Sequence, residues 1–210
     1  PGDQYTDLLH AVPVLSKAPE KACDLFIALD CADLDRLGSF KVAFEKAKIS
    51  WNVDHHISNT HYGQYNHVDA NASSASEIIF DIYKASKVKM NTQMAKTIYT
   101  GIIYDTSAFK HSNTSSKTLA VASKLLEYPF DFSTIIQQMF YERSLVSIQL
   151  QGVAIGNIKT YFNNKLVIST LSLEEIVLYS NEGEGTEGIV NILKNIKDSK
   201  VAVFLYEKSK

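Results

Sequence analysis

The sequence predicts an α/β protein: a parallel sheet flanked by helices, then a second, smaller α/β domain. Three observations carry that prediction. Short apolar runs alternate with helical patterns over the first 128 residues, which marks strand–helix–strand units. After Gln151 the texture changes, and β-branched and aromatic residues gather around Asn163-Asn164. That is a hairpin signal, because Asn tolerates positive φ. The composition is ordinary for a globular chain: 210 residues, 45% hydrophobic and 21% charged. It excludes a disordered tail, a collagen-like fibre and a disulfide-dense mini-protein.

Taken in order, Asp24–Asp30 is an apolar run bounded by acids and reads as a buried strand. Residues 33–48 show helical spacing through Leu34, Leu37, Val42, Ala43 and Ala47. Ile49–Val53 reads as a second strand that runs into Asp54-His55-His56, and the polar stretch 57–73 reads as a loop. Ser73–Glu77 offers an N-cap before Ile78, Ile79, Phe80 and Tyr83; Asn91 or Thr92 caps a helix that runs into Tyr104-Asp105-Thr106. Ser115 or Ser116 opens a helix with Leu119, Ala122, Leu125 and Leu126, Pro129 breaks the chain, and one longer helix is expected over 131–150. Val153–Phe162 and Lys165–Leu171 read as the two hairpin strands. A helix over 173–179, a Glu182–Gly185 loop, a helix through Ile189, Ile192, Leu193 and Ile196, and a strand at Val201–Leu205 complete the reading. The expected organisation is a first domain over 1–128, a linker helix over 129–152 and a second domain over 153–210.

Lys and Arg number 21 against 23 Asp and Glu, a formal net charge of −2. Residues 151–210 hold seven of each sign, so the excess lies in the first part. A duplex-DNA coat would be basic, so that class of partner is not expected. No apolar run approaches the roughly 20 residues of a membrane span, and the N-terminus lacks the pattern of a signal peptide. A cytoplasmic location with Cys23 and Cys31 as free thiols is the expectation, Cys31 being a small packed side chain.

Two aspartates, Asp30 and Asp54, close predicted strands, and Asp105 follows a predicted helix. Ligands of open α/β sheets gather beyond the carboxyl ends of strands. Singly, such aspartates serve as caps; with the adjacent His55-His56 pair they point to a site. One imidazole can ligate a metal, its neighbour can face a phosphate, and a carboxylate can orient a ring. Asp and His without thiolate suit Mn²⁺, Mg²⁺, Fe²⁺ or Zn²⁺. A carboxylate-rich pair of ions favours hydrolysis of phosphate esters.

Asp54-His55-His56 resembles the signature of the DHH phosphoesterases. Leu29-Asp30-Cys31-Ala32-Asp33-Leu34-Asp35-Arg36-Leu37-Gly38 resembles their second motif, in the form of the bifunctional oligoribonuclease/pAp phosphatases. Tyr99–Phe109 resembles the fourth motif, and Ser74–Ile79 the helix start between them. From about residue 150 the chain resembles the start of the accessory substrate-binding domain DHHA1, best at Thr186–Asn191. The resemblance implies that Asp30 bridges two Mn²⁺ ions (Mg²⁺ being the alternative) and that His55 and Asp105 ligate one of them. It further implies that Asp54 orients His55 or holds the loop and that His56 approaches the scissile phosphate. Lys110 and His111 are candidate substrate contacts at the rim; Arg36 reads as an exposed helix residue, and His10, His61 and His67 as loop residues.

The implied activity is hydrolysis of short oligoribonucleotides and of 3′-phosphoadenosine 5′-phosphate by a two-metal mechanism. Expected partners are short oligonucleotides or a nucleoside bisphosphate, with no duplex DNA and no membrane, and a homodimer is an option. A cyclic dinucleotide phosphodiesterase and a non-catalytic nucleotide-binding module are the alternatives. The family's first motif, a His and two Asp after an earlier strand, has no counterpart before Asp30, where only Asp3, Asp7 and His10 occur. A C-terminal glycine-rich motif is also missing. The chain therefore reads as a fragment, expected to bind Mn²⁺ weakly and to turn over little alone.

Overall fold

The structure, a computed structural model, describes residues 14–180 and 185–208. Asp3, Asp7, His10 and the loop residues 182–184 lie outside the described residues. The chain separates into two compact units, 1–141 and 142–210.

In the first unit, β1 (Leu25–Leu29), β2 (Ile49–Asp54) and β3 (Tyr65–Val68) form a parallel sheet in the order β1-β2-β3. Leu29 lies beside Val53 and Asp54 beside Val68, so the carboxyl ends of all three strands face one way. A 3₁₀ helix, Leu34–Phe40, follows β1 with Asp33 as its cap, and a left-handed Gly38 (φ 54°) kinks it. Helix α1 (Lys41–Lys46) buries Ala43 and Phe44, and the Phe44 ring meets Phe26 edge-on at 5.3 Å.

Helices α2 (Ala75–Ala85), α3 (Thr92–Asp105) and α4 (Ser116–Leu125) start at side-chain caps from Ser74, Asn91 and Ser115. Ala95, Ile98, Tyr99, Ile102 and Ile103 recur along α3 at i, i+3, i+4, i+7 and i+8 and are buried. They pack with Phe80, Val121 and Leu125. Each of the buried isoleucines contributes about 1.5–3 kcal/mol, which fixes the helix whose last residue is Asp105. At Gly101, α3 passes close to α2; a Cβ there would collide with Ser76 Oγ.

In the second unit, β4 (Lys159–Tyr161) pairs antiparallel with β5 (Leu166–Leu171), and β5 pairs parallel with β6 (Val201–Tyr206). The hairpin turn uses Phe162, Asn163 and Asn164 at φ 55–65°. Helices α6 (Leu145–Gly156), α7 (Leu173–Val177) and α8 (Ile189–Lys194) supply Leu150, Ala154, Ile176 and Ile189 to a core with Leu171.

The mixed α/β architecture is as expected, with several local corrections. The β1 strand is not fully buried: Leu25, Ile27 and Leu29 are 41–51% exposed, Phe26 is half-buried and only Ala28 is buried. The loop expected over 57–73 contains β3, whose Tyr-Asn-His-Val sequence is too short and polar to show strand alternation. His67 therefore lies on a strand, whereas His61 is in a loop, as expected. The single helix expected over 131–150, within the linker 129–152, is three pieces: α5 (Phe132–Ile136), a π turn at Gln137–Tyr141, and α6. The chain re-enters helix only where Ser144 caps α6. That helix extends to Gly156, so residues 153–156 are helical and not part of the hairpin. Both cysteines are free, and Cys31 is buried. No helix among the described residues is long and apolar enough to cross a membrane.

Candidate functional site

The carboxyl end of the parallel sheet is built from two turns and a helix end. Asp30 leaves β1 in the left-handed conformation (φ 56°), and its N–H donates to the Val53 carbonyl. That backbone costs an L-residue roughly 1–2 kcal/mol, least for Asn and Asp. It swings the carboxylate over the end of β2. Asp54 ends β2 with a fully buried side chain. His55 and His56 follow with their ring centroids 4.7 Å apart. Asp105, the last residue of α3, brings a second carboxylate from the helical layer.

These groups converge. His55 Nε2 lies 3.3 Å from Asp30 Oδ1 and 3.7 Å from Asp105 Oδ2. His56 Nδ1 lies 2.7 Å from Asp54 Oδ1 and 3.8 Å from Asp30 Oδ1. Donor atoms of Asp30, Asp54, His55 and His56 all fall within 4.8 Å of one another.

The hydrogen bonds assign the rings their tautomers. His55 Nδ1 is 3.3 Å from the Ala72 carbonyl, which can only accept. That ring therefore carries a proton on Nδ1 and directs Nε2 at Asp30 and Asp105; protonated, Nε2 donates to Asp30, and with that proton gone the same nitrogen offers its lone pair to an ion. His56 Nδ1 likewise donates to Asp54, leaving Nε2 outward. Asp54 was expected to orient His55 or hold the loop. Its Oδ1 meets His55 only through the backbone N–H, at 2.8 Å, and meets the ring of His56; the Ala72 carbonyl orients the His55 ring. Asp54 Oδ2 accepts from Asn59 at 2.6 Å, so neither oxygen is spare.

The electrostatics separate the three carboxylates. The hydrogen bond from His55 holds Asp30 below the usual carboxylate range, against burial. Burial raises Asp54, but Asn59, His56 and the backbone N–H groups outweigh it, and the net shift is downward. Asp105 is pushed up, first by burial and then by the facing charge of Asp30. The bond to Asp30 raises the His55 imidazole, with Asp105 adding to the effect. Carboxylates facing each other across one imidazole are donors of the kind that could hold a divalent cation. Their 3.3 and 3.7 Å separations from His55 Nε2 are near the roughly 3 Å that two donors about 2.1 Å from one ion span at a right angle, while the donor set that closes within 4.8 Å comprises Asp30, Asp54, His55 and His56, with Asp105 outside it.

Of the rim residues, His111 sets Nδ1 3.2 Å from the Asp105 carbonyl, while Lys110 is exposed directly after a left-handed run through Ser107, Ala108 and Phe109. Arg36 is exposed on its helix. Sequence reasoning passed over Asn52, Asn59, Tyr62 and Asn113. Asn113 donates to the carbonyls of Ser73 and Asp105 and ties the two helix ends together. A signal for Asn52 existed: a buried amide inside an otherwise apolar strand needs partners.

Comparison with known proteins adds the following. The profile of the DHH family, N-terminal domain, matches residues 3–102. The chain is 39% identical over 115 residues (55% of this chain, 36% of the relative) to the "Probable bifunctional oligoribonuclease and PAP phosphatase NrnA" of Streptococcus mutans. It is 33% identical over 189 residues (88% of this chain, 58% of the relative) to the "Bifunctional oligoribonuclease and PAP phosphatase NrnA" of Bacillus subtilis. An exopolyphosphatase-related protein from Bacteroides fragilis has the same fold at TM-score 0.81 and 24% identity, covering 88% of this chain and 55% of that one. The chain thus spans roughly a third to three-fifths of the relatives it matches.

Proposed function

Residues 3–102 of this chain match the DHH family, N-terminal domain, and on that premise we propose that the protein is a metal-dependent phosphoesterase of that family. Its substrates are short oligoribonucleotides and 3′-phosphoadenosine 5′-phosphate, the activities for which two of its relatives are named. The observation that carries the reading is the meeting of Asp30, His55 and Asp105 around His55 Nε2, at 3.3 and 3.7 Å. Mn²⁺ is the expected ion and Mg²⁺ its alternative, in a two-metal arrangement that shares Asp30. In outline the chain's first 128 residues form the catalytic domain and residues 153–210 contribute substrate binding, and the protein works in the cytoplasm.

Each residue has a task. Asp30, His55 and Asp105 hold the ion; Asp54, with both oxygens already engaged, holds the loop and the His56 ring. A bound divalent ion supplies charge neutralisation at the phosphoryl oxygens and activates water for in-line attack. His56, its Nδ1 proton fixed by Asp54, presents Nε2 toward the phosphate as a hydrogen-bonding partner. Lys110 and His111, which follow Asp105 closely in the chain, are the proposed contacts to further phosphate oxygens. Much of the catalytic effect is positioning and pre-set electrostatics. A local site of this kind suits a short substrate better than a long polyanion gripped along a basic stripe.

The test is an assay of the protein that carries this chain, with added Mn²⁺, on 3′-phosphoadenosine 5′-phosphate, a linear dinucleotide and a cyclic dinucleotide. Turnover of the first two supports the reading. Turnover of the cyclic substrate alone reassigns the protein to cyclic dinucleotide hydrolysis. Binding of all three without turnover makes it a nucleotide-binding module.

A further inference from the structure

We propose that Asn59 is a positioning residue that sets the His56 ring through Asp54 and, with Asn52 and Tyr62, pins the turn that carries Asp30. The proposal builds on the phosphoesterase reading but has its own observable.

Asn59 Nδ2 stands among three acceptors: Asp54 Oδ2 at 2.6 Å, Asn52 Oδ1 at 2.8 Å and the Cys31 carbonyl at 3.3 Å. Its Oδ1 accepts from the His61 N–H at 2.8 Å, which fixes which end of the amide points inward. A carboxylate held by one oxygen alone can rotate about its Cβ–Cγ bond. Asp54 is held on both sides, with Asn59 on Oδ2 and with His56 Nδ1 and the His55 N–H on Oδ1. The carboxylate plane is therefore locked, and with it the direction in which His56 must donate.

The second arm reaches the other strand end. The Cys31 carbonyl receives three side-chain donors: Tyr62 Oη at 3.0 Å, Asn52 Nδ2 at 3.2 Å and Asn59 Nδ2 at 3.3 Å. Asn52 Nδ2 also lies 3.4 Å from the Ala28 carbonyl. These bonds bracket Asp30 on both sides of its left-handed backbone (φ 56°). A conformation that L-residues disfavour persists when its surroundings over-determine it. Asn59 thus contacts both strand ends, Asp54 of one and the Cys31 carbonyl beyond the other.

The experiment compares Asn59→Ala and Asn59→Ser with the wild type in the whole protein, at saturating Mn²⁺. Asn59→Ser keeps a short uncharged acceptor for the His61 N–H but is too short to donate to Asp54, so it carries the reading should Asn59→Ala fail to fold. The expected result is a fall in kcat of roughly 10–100-fold, the usual scale for a partner that orients a functional group, with little change in KM. ¹⁵N spectra of the histidine rings without metal should show His56 passing from one neutral tautomer, with the proton on Nδ1, to a mixture. A folded variant with wild-type kcat and an unchanged His56 tautomer overturns the proposal. If the wild type hydrolyses none of the substrates, the phosphoesterase reading fails, and the His56 tautomer alone still decides the role of Asn59.

Discussion

Each unit of the molecule ends a parallel strand pair in carboxylates, and the two ends behave oppositely. Where β5 and β6 finish, Glu175 accepts from the Ser172 N–H and hydroxyl and from Asn157, and Glu207 accepts from the Leu173 N–H. Their valence goes into starting α7, and Glu175 is held below its usual range, chiefly by Asn157 and the Ser172 N–H. Where β1 and β2 finish, Asp30 and Asp105 face each other across His55, and Asp105 is pushed up by burial and by that facing charge. A polar cluster that satisfies itself is architecture. One that leaves like charges turned on a common point is organised for something that arrives.

The hardest test of that contrast is His55→Ala against Glu175→Gln. Removing His55 should cost more activity than the roughly 10–100-fold typical of a supporting partner. It should also abolish the rise in melting temperature on adding Mn²⁺, a stabilisation worth about 2.7 kcal/mol when the ion is at a hundred times its Kd. Glu175→Gln should leave both intact. An equal loss of the Mn²⁺ response in the two variants would collapse the distinction.

Glu77 sharpens it within the first unit. This fully buried carboxylate accepts from Ser73 and Thr118 on Oε2 and faces the Lys117 ammonium at 3.3 Å on Oε1. Its Oε2 is satisfied and its Oε1 keeps only the Lys117 ion pair, with no hydrogen bond among the described residues, so its charge is answered within the first unit and faces no second carboxylate across a shared ring. Glu77→Ala should cost about 1–3 kcal/mol, the penalty for stranding buried donors, as read by urea titration, while the Mn²⁺ response survives in the folded fraction. Ser172→Ala, which removes the cap of α7, should cost about 1 kcal/mol in the same measurement, without effect on hydrolysis.

The smallest effect is a pH dependence confined to the first strand ends. His55 is raised above its unfolded value, so its pairing with Asp30 is fully present below about pH 6.5 and is lost as pH rises through the folded value. Asp30 is lowered, so the pairing is present above about pH 3.9 and is lost as pH falls through the folded value. The raised Asp105 costs stability as it ionises. Melting temperatures in chelator should therefore differ most between wild type and His55→Ala at about pH 4–6.5 and converge at alkaline pH. A difference that does not change with pH would separate the two groups after all.

Much of this was legible in the sequence where one local rule sufficed. The caps at Ser74, Asn91 and Ser115 and the apolar stripe of α3 follow from residue type and spacing. So does the placement of Asp30 and Asp54 at the ends of β1 and β2. Features that depend on distant partners were not legible. Strand β3 exists through pairing with β2, since its own residues are mostly exposed and polar. The helix expected over 131–150 breaks because a π turn and the Ser144 cap compete with a continuous apolar pattern. Asn59 sits in an Asn- and Ser-rich stretch that looks like any loop, and only the bond from the His61 N–H reveals its inward side. The orientation of His55 depends on the Ala72 carbonyl, a main-chain atom that no residue type announces.

That last contact has a bearing on heredity. A ring aimed by a side chain can lose its aim through one altered codon, but an oxygen of the polypeptide itself is present whatever amino acid the gene specifies. Mutation can unseat His55 from Ala72 only by shifting the bend on which that carbonyl sits, so the orientation of the imidazole should outlast many substitutions around it.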